Sequence, residues 1–217
     1  MQAKVEGVIG DNRNELSFAA GAGVDFATVR STQGDVALTI GAPSANPFLV
    51  SGSQFSNFSR LAARFDPTVT LNVSGTMGLV AISLPAGIVV TSMSFCSGTT
   101  GATGPTNQLF GLYDSARLLL VSSVNDGATA WGANTVKTLA MTAPFTTTYD
   151  GLYYAAIMVT VSTTMPTVLG NSVGTTVHLN LAPILNGASN TGLTTALPAG
   201  PATAITGSTQ IPWVYVS

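Results

Sequence analysis

Ten residues without a charge, Leu152 to Val161, follow the turn pair Asp150-Gly151. Read with period two, one side of this run is Leu152, Tyr154, Ala156, Met158 and Thr160. The other is Tyr153, Ala155, Ile157, Val159 and Val161. Successive side chains of a strand point to opposite faces, and here both faces are largely apolar. A strand with one solvated side alternates apolar with polar residues, so this one must be covered on both sides. Two packed sheets or a subunit contact would supply the cover. The β-branched and aromatic content and the Asp-Gly start weigh against a buried helix of the same length.

The rest of the chain is consistent with such a strand. From Pro67 onward, runs at Thr68–Val73, Leu79–Leu84, Gly87–Phe95, Leu109–Tyr113, Arg117–Ser123, Val136–Met141, Leu152–Val161, Thr175–Leu181 and Ile211–Val216 have strand composition. They are separated by turn chemistry at Pro85-Ala86-Gly87, Asp114-Ser115-Ala116, Asn125-Asp126-Gly127 and Asp150-Gly151. Many short strands and no long helix predict an all-β fold, an antiparallel, jelly-roll-like β-sandwich. Gly98–Thr106 carries glycine every third residue for three triplets, too short for collagen, and reads as a flexible loop. Asn186–Ser208 is rich in Gly, Ala, Thr and Pro without periodicity and reads as a long loop over the domain.

Charge divides the chain. Charged residues are 7% of the sequence, against about 25% in an ordinary soluble domain. Eleven of the sixteen lie at or before Asp66. Residues 1–66 therefore read as an N-terminal anchoring arm or small β extension, and 67–217 as the sandwich. The first part has strand candidates at Phe26–Arg30 and Asp35–Ile40. It ends in one predicted short helix, Asn57–Phe65, with Phe58, Leu61 and Phe65 on one face and Arg60 and Arg64 on another. A net charge of −2 without a basic cluster argues against nucleic acid. No run approaches the ~20 apolar residues of a membrane-spanning helix. The start, Met1 to Glu6, lacks the apolar core of a signal peptide, which predicts synthesis in the cytoplasm without classical export.

Chemistry-bearing patterns are sparse. Gly170-Asn171-Ser172-Val173-Gly174 matches the spacing of a nucleophile elbow, but no acidic residue follows it, and the single histidine, His178, lies six positions on. Asp114, Asp126 and Asp150 each occupy a turn where aspartate is favoured for backbone reasons. One histidine, one cysteine (Cys96) and scattered acids form no metal-ligand pattern. The reading is of a chain with no catalytic, cofactor or metal residues. Trp131 lies in a small-residue loop where core packing is disfavoured. With Tyr113 it is the candidate for stacking on a sugar or anchoring an interface. Arg60 and Arg64 are the candidates for an anionic partner.

Leu79–Gly87, then Gly111-Leu112-Tyr113-Asp114 with Leu118–Ser123, then Thr138–Pro144 with Gly151–Ala156, make a pattern that resembles a β-sandwich module of actinobacteriophage virion proteins. The likeness covers Gly78 to Pro166. It implies a non-enzymatic virion component: a minor tail, fibre or capsid-decoration subunit contacting other virion proteins. The same likeness implies a homo-oligomer, with a trimer favoured. A carbohydrate-binding sandwich that recognises host glycans is the alternative.

Overall fold

The computed structural model describes residues 49–51, 54–57, 65–71, 73–172, 182–199 and 205–217. The strands predicted at Phe26–Arg30 and Asp35–Ile40, the body of the predicted helix with Arg60 and Arg64, and the strand predicted at Thr175–Leu181 with His178 lie outside the described residues. The strands are, in chain order, β1 (Leu49–Ser51), β2 (Gln54–Ser56), β3 (Asp66–Thr70), β4 (Met77–Leu84), β5 (Val89–Cys96), β6 (Thr103–Tyr113) and β7 (Leu119–Ser122). There follow β8 (Val136–Thr146), β9 (Gly151–Thr164), β10 (Thr167–Ser172), β11 (Asn186–Ser189), β12 (Thr206–Gly207), β13 (Gln210–Pro212) and β14 (Val214–Val216). Every pairing among them is antiparallel.

Eight of these strands make a jelly roll. One sheet runs β1-β2-β14-β5-β8 and the other β12-β11-β4-β9-β6-β7. Number the roll strands β2, β4, β5, β6, β7, β8, β9 and β14 from one to eight. Their orders are then 1-8-3-6 in the first sheet and 2-7-4-5 in the second, the paired Greek keys of a jelly roll. The expected fold class is therefore found. Its first strand, β2, lies within the first 66 residues and pairs with the last, through Phe55↔Val216 and Ser56↔Tyr215. A small sheet, β13-β10-β3, is added at one side.

The strand predicted to be buried on both faces is β9, at the middle of the second sheet, between β4 and β6. Tyr153, Ala155, Ile157 and Val159 face the other sheet. They share a core with Val80 and Ile82 of β4, Phe110 and Leu112 of β6, and Met93, Phe95, Leu139, Val214 and Val216 across the sandwich. Phe95 and Phe110 meet edge-on across the gap, ring centres 4.8 Å apart. Tyr154, Ala156 and Met158 point the opposite way, into a second cluster with Met77, Leu79, Leu109 and Tyr113. The two faces are those given by the period-two reading.

That second face is covered by the chain's own C-terminal part. Leu197 and Ile205, with Ile184 and Leu193 at the margin, complete the second cluster. The covering strap is pinned by Ala81 N–H to Leu185 O (2.7 Å) and Leu193 N–H to Gly75 O (2.9 Å). β11 adds to the edge of β4 over Asn186↔Val80 to Ser189↔Met77. The stretch expected to be one long loop, 186–208, thus contains β11 and β12. Its regularity is imposed by the β4 edge and the apolar face beneath it, neither of which its own composition encodes.

Other boundaries moved for local reasons. Ile211–Val216 was expected as one strand but divides at Trp213, whose N–H bonds Leu169 O at 2.8 Å. Pro212 ends the ladder with β10, and Val214 begins the ladder with β5. Residues 98–106, expected as a flexible loop, are tied down. Gly98 N–H bonds Thr167 O (2.8 Å), Thr99 N–H bonds Pro67 O (3.0 Å), and β6 begins at Thr103. A Cβ on Gly98 would lie 1.6 Å from Pro67 O and 2.7 Å from Thr167 Oγ1, so glycine serves close backbone approach here. Gly98→Ala is expected to cost about 1–3 kcal/mol or more through forced displacement, read as a lower denaturant midpoint at unchanged slope.

Turn aspartates do the backbone work expected of them. Asp150 Oδ1 accepts from Ala86 N–H (2.8 Å), joining two turns at one end of the sandwich, and Asp114 Oδ1 accepts from Leu118 N–H (2.8 Å). Asp66 Oδ1 accepts from both the hydroxyl and the N–H of Thr68, and these bonds, the hydroxyl first, hold its carboxyl below the ordinary value. A depressed carboxyl stabilises the fold above its unfolded pKa, about 3.9, and loses that contribution as pH falls through the folded value. Asp66→Asn should therefore flatten the acid limb of stability below about pH 4; an unchanged acid limb would contradict the assignment.

Candidate functional site

Trp131 comes from the loop between β7 and β8, and the loop folds it inward. The indole is 2% exposed and stands edge-on to Phe110 with ring centres 6.1 Å apart. Its Nε1–H bonds Thr135 O at 3.1 Å. The main chain at Trp131 bridges Ala102, with Ala102 N–H to Trp131 O at 2.9 Å. The expectation of an exposed ring is corrected. Small neighbours, which argued against core packing, are what let the loop turn tightly enough to bury the ring; Asn134 takes the left-handed conformation, φ 54.

Beside the indole lies the ion pair Lys137–Asp126, with Lys137 turned inward from β8 and 8% exposed. The Lys137 ammonium sits 5.9 Å from the Trp131 ring centre, where the ring quadrupole favours a cation. Gln108, fully buried, donates from Nε2 to Thr129 O (2.7 Å) and Gly127 O (3.2 Å). Asn125 Oδ1 accepts from Gln108 N–H and Gly127 N–H. The loop 124–135 is thus held from below by polar side chains and closes one end of the sandwich.

Tyr113 is also enclosed. It is fully buried in the second cluster, and its hydroxyl donates to Pro198 O at 2.9 Å. Burial pushes the phenol well above its ordinary value, so it stays protonated as a donor. Tyr154 does the same for the other end of the strap, donating to Ile184 O at 2.9 Å. Burial raises this phenol too, with the Arg117 charge opposing. Both tyrosines fasten the strap, and neither Tyr113 nor Trp131 offers a face to a sugar. The glycan alternative loses the two rings it rested on.

The remaining candidates are placed as follows. Arg60 and Arg64 lie outside the described residues. Ser172 is exposed at the end of β10 and accepts from Gln210 Nε2 at 3.0 Å. Cys96 is half-buried in β5, and burial raises its thiol pKa. Among the described residues, no three His, Cys, Asp or Glu side chains come together to hold a metal. A crevice between Thr70, Gly78, Asn186 and Gln210 encloses about 10 Å³, no more than one water needs.

The accessible feature is a surface. On β8, Leu139 and Met141 enter the core, so Val136, Thr138, Ala140 and Thr142 point outward, and all four are exposed. They stand beside half-buried Ser92 and Cys96 and fully buried Ser94 of β5, in the pairs Cys96↔Val136, Ser94↔Thr138 and Ser92↔Ala140. Tyr215 of β14 lies in the Ser94 row. The exposed row of β8 holds only Val, Thr and Ala, with no aromatic or charged residue to mark it in the sequence. Its signal was the strict alternation in Val136–Met141.

Comparison of the chain with protein-family models, with curated proteins and with solved structures finds no match in any of the three.

Proposed function

We propose that the protein is a structural virion component of a tailed bacteriophage, a minor tail, fibre or capsid-decoration subunit that works by protein–protein adhesion. The observation that carries this reading is the exposed, uncharged row Val136, Thr138, Ala140 and Thr142 on the outer side of β8. An uncharged exposed row on a chain with so few charges adds little colloidal repulsion to a free monomer and suits a subunit held in an assembly. The resemblance of Gly78–Pro166 to virion sandwich modules supplies the kind of assembly. Partners are other virion proteins and further copies of the chain, and the location is the assembled particle.

The test is the composition of purified particles. The chain should band with particles through a density gradient at a fixed copy number, and gold-labelled antibody should mark one locus on them. Its absence from washed particles would refute the proposal.

A further inference from the structure

Two polar side chains stand inside the sandwich where the strand pattern calls for apolar ones. On β8 the inward row is Lys137, Leu139 and Met141, and on β6 it is Gln108, Phe110 and Leu112. The rows belong to opposite sheets. Burying such groups is costly unless they are fully bonded. Gln108 is fully buried, yet its Oε1 has no hydrogen-bond partner among the described residues. Asp126 links the two. Its carboxylate contacts Lys137 Nζ, and its N–H bonds Gln108 O at 3.1 Å. Lys137 Nζ (3.4 Å) and Gln108 Nε2 (2.7 Å) also converge on one acceptor, Thr129 O. We propose that Lys137 and Gln108 join in an isopeptide bond, made by the protein itself with Asp126 as the proton carrier.

The three residues supply the parts of such a reaction. Asp126 takes a proton from Lys137 Nζ and leaves an amine, the reactive form of this nucleophile. The protonated carboxyl then donates to Gln108 Oε1, the acceptor without another donor, and polarises the amide. The Nζ lone pair attacks Cδ. The Nζ–Cδ bond forms, the Cδ–Nε2 bond breaks, and Nε2 departs as ammonium with the two protons that Nζ gives up. Asp126 returns to a carboxylate, and nothing is oxidised or reduced. The nearly enclosed Trp131 ring lies beside Lys137, and a site that excludes water protects such a step from hydrolysis. Groups held together in one cluster also react as if highly concentrated. Joining Lys137 to Asp126 instead would consume the one carboxylate that contacts the amine among the described residues and leave no carrier for its protons. The product removes a buried charge and ties β6 to β8, and so one sheet to the other. It is a bond within one chain and stands apart from the adhesive role proposed above.

The test is the intact mass of the purified full chain, taken under denaturing conditions after days at room temperature. The wild type should weigh one ammonia less than its sequence. Tandem mass spectrometry of a digest should find Gln108 and Lys137 in one branched peptide. Lys137→Arg, Gln108→Leu and Asp126→Ala should each keep the full sequence mass. The wild-type branched peptide decides the matter even where a variant fails to fold. A wild type of full sequence mass would overturn the inference. So would an ammonia loss that maps to other residues or persists in Gln108→Leu. Loss of one water, with Lys137 joined to Asp126, would overturn the assignment of Gln108 as the group attacked and of Asp126 as the carrier. The presence or absence of the chain in particles bears on none of these outcomes.

Discussion

Trp131→Ala is expected to lower the unfolding free energy by about 3–5 kcal/mol, a large part of the 5–15 kcal/mol typical of a domain. The ring is almost wholly enclosed, so truncation opens a cavity beside Phe110 that the closed end of the sandwich cannot fill by collapse. The Thr135 carbonyl loses its indole donor. Lys137 loses the ring beneath its charge and keeps Asp126 and the Thr129 carbonyl. Equilibrium denaturation is the measurement, with Trp131→Phe expected to recover most of the loss because it restores volume without the N–H. A surface contact residue would behave differently: Trp131→Ala would leave stability within about 0.5 kcal/mol of wild type and abolish binding to a partner. That outcome would contradict the burial described above.

The second large effect tests the double cover of β9. Ile157 faces the sandwich and Met158 faces the strap, and both are nearly or fully buried. Ile157→Ala and Met158→Ala should each cost about 2–5 kcal/mol. Their side chains enter separate clusters on opposite sides of the sheet, so the costs should add closely, and the double variant should be largely unfolded at 25 °C. If the strap were not seated on the sheet, Met158 would be a surface residue. Met158→Ala would then be almost silent while Ile157→Ala remained severe. Leu197→Ala reports on the same contact from the strap side and should show the same sign.

What the sequence discloses here is periodicity, and what it conceals is packing partner. The two faces of β9 were readable residue by residue, because alternation needs only the local chain. So were the turns at Asp114 and Asp150, where a carboxylate bonds a nearby backbone N–H. The strap was not readable, since Leu193, Leu197 and Ile205 are too far apart to show a period and gain meaning only above Met77, Leu109 and Met158. The burial of Trp131 is hidden in the sequence for a related reason. Its neighbours are small, and a tryptophan among small residues looks exposed until Phe110, some twenty positions earlier, is brought beneath it. The outward row of β8 was overlooked because threonine, alanine and valine carry no chemistry to draw attention, although their alternation with Lys137, Leu139 and Met141 was plain.

The pairing of β2 with β14 has a consequence for how the chain reaches its native state. Besides the short local strand β1, the opening strand of the roll finds its neighbour only in Tyr215 and Val216, about 160 residues on. Contacts of such long sequence separation must pay for closing a very large loop before they return any energy, and chains dominated by them fold slowly. On the ribosome, the first sheet stays open at its centre until β14 has been made, and the outer side of β9 stays bare until the strap that carries Ile184, Leu193, Leu197 and Ile205 has followed it. Nascent or C-terminally clipped chains would present both apolar surfaces at once, the condition in which β proteins aggregate. Chaperone dependence during synthesis, and insolubility of chains ended before residue 182, are the cellular signatures to look for.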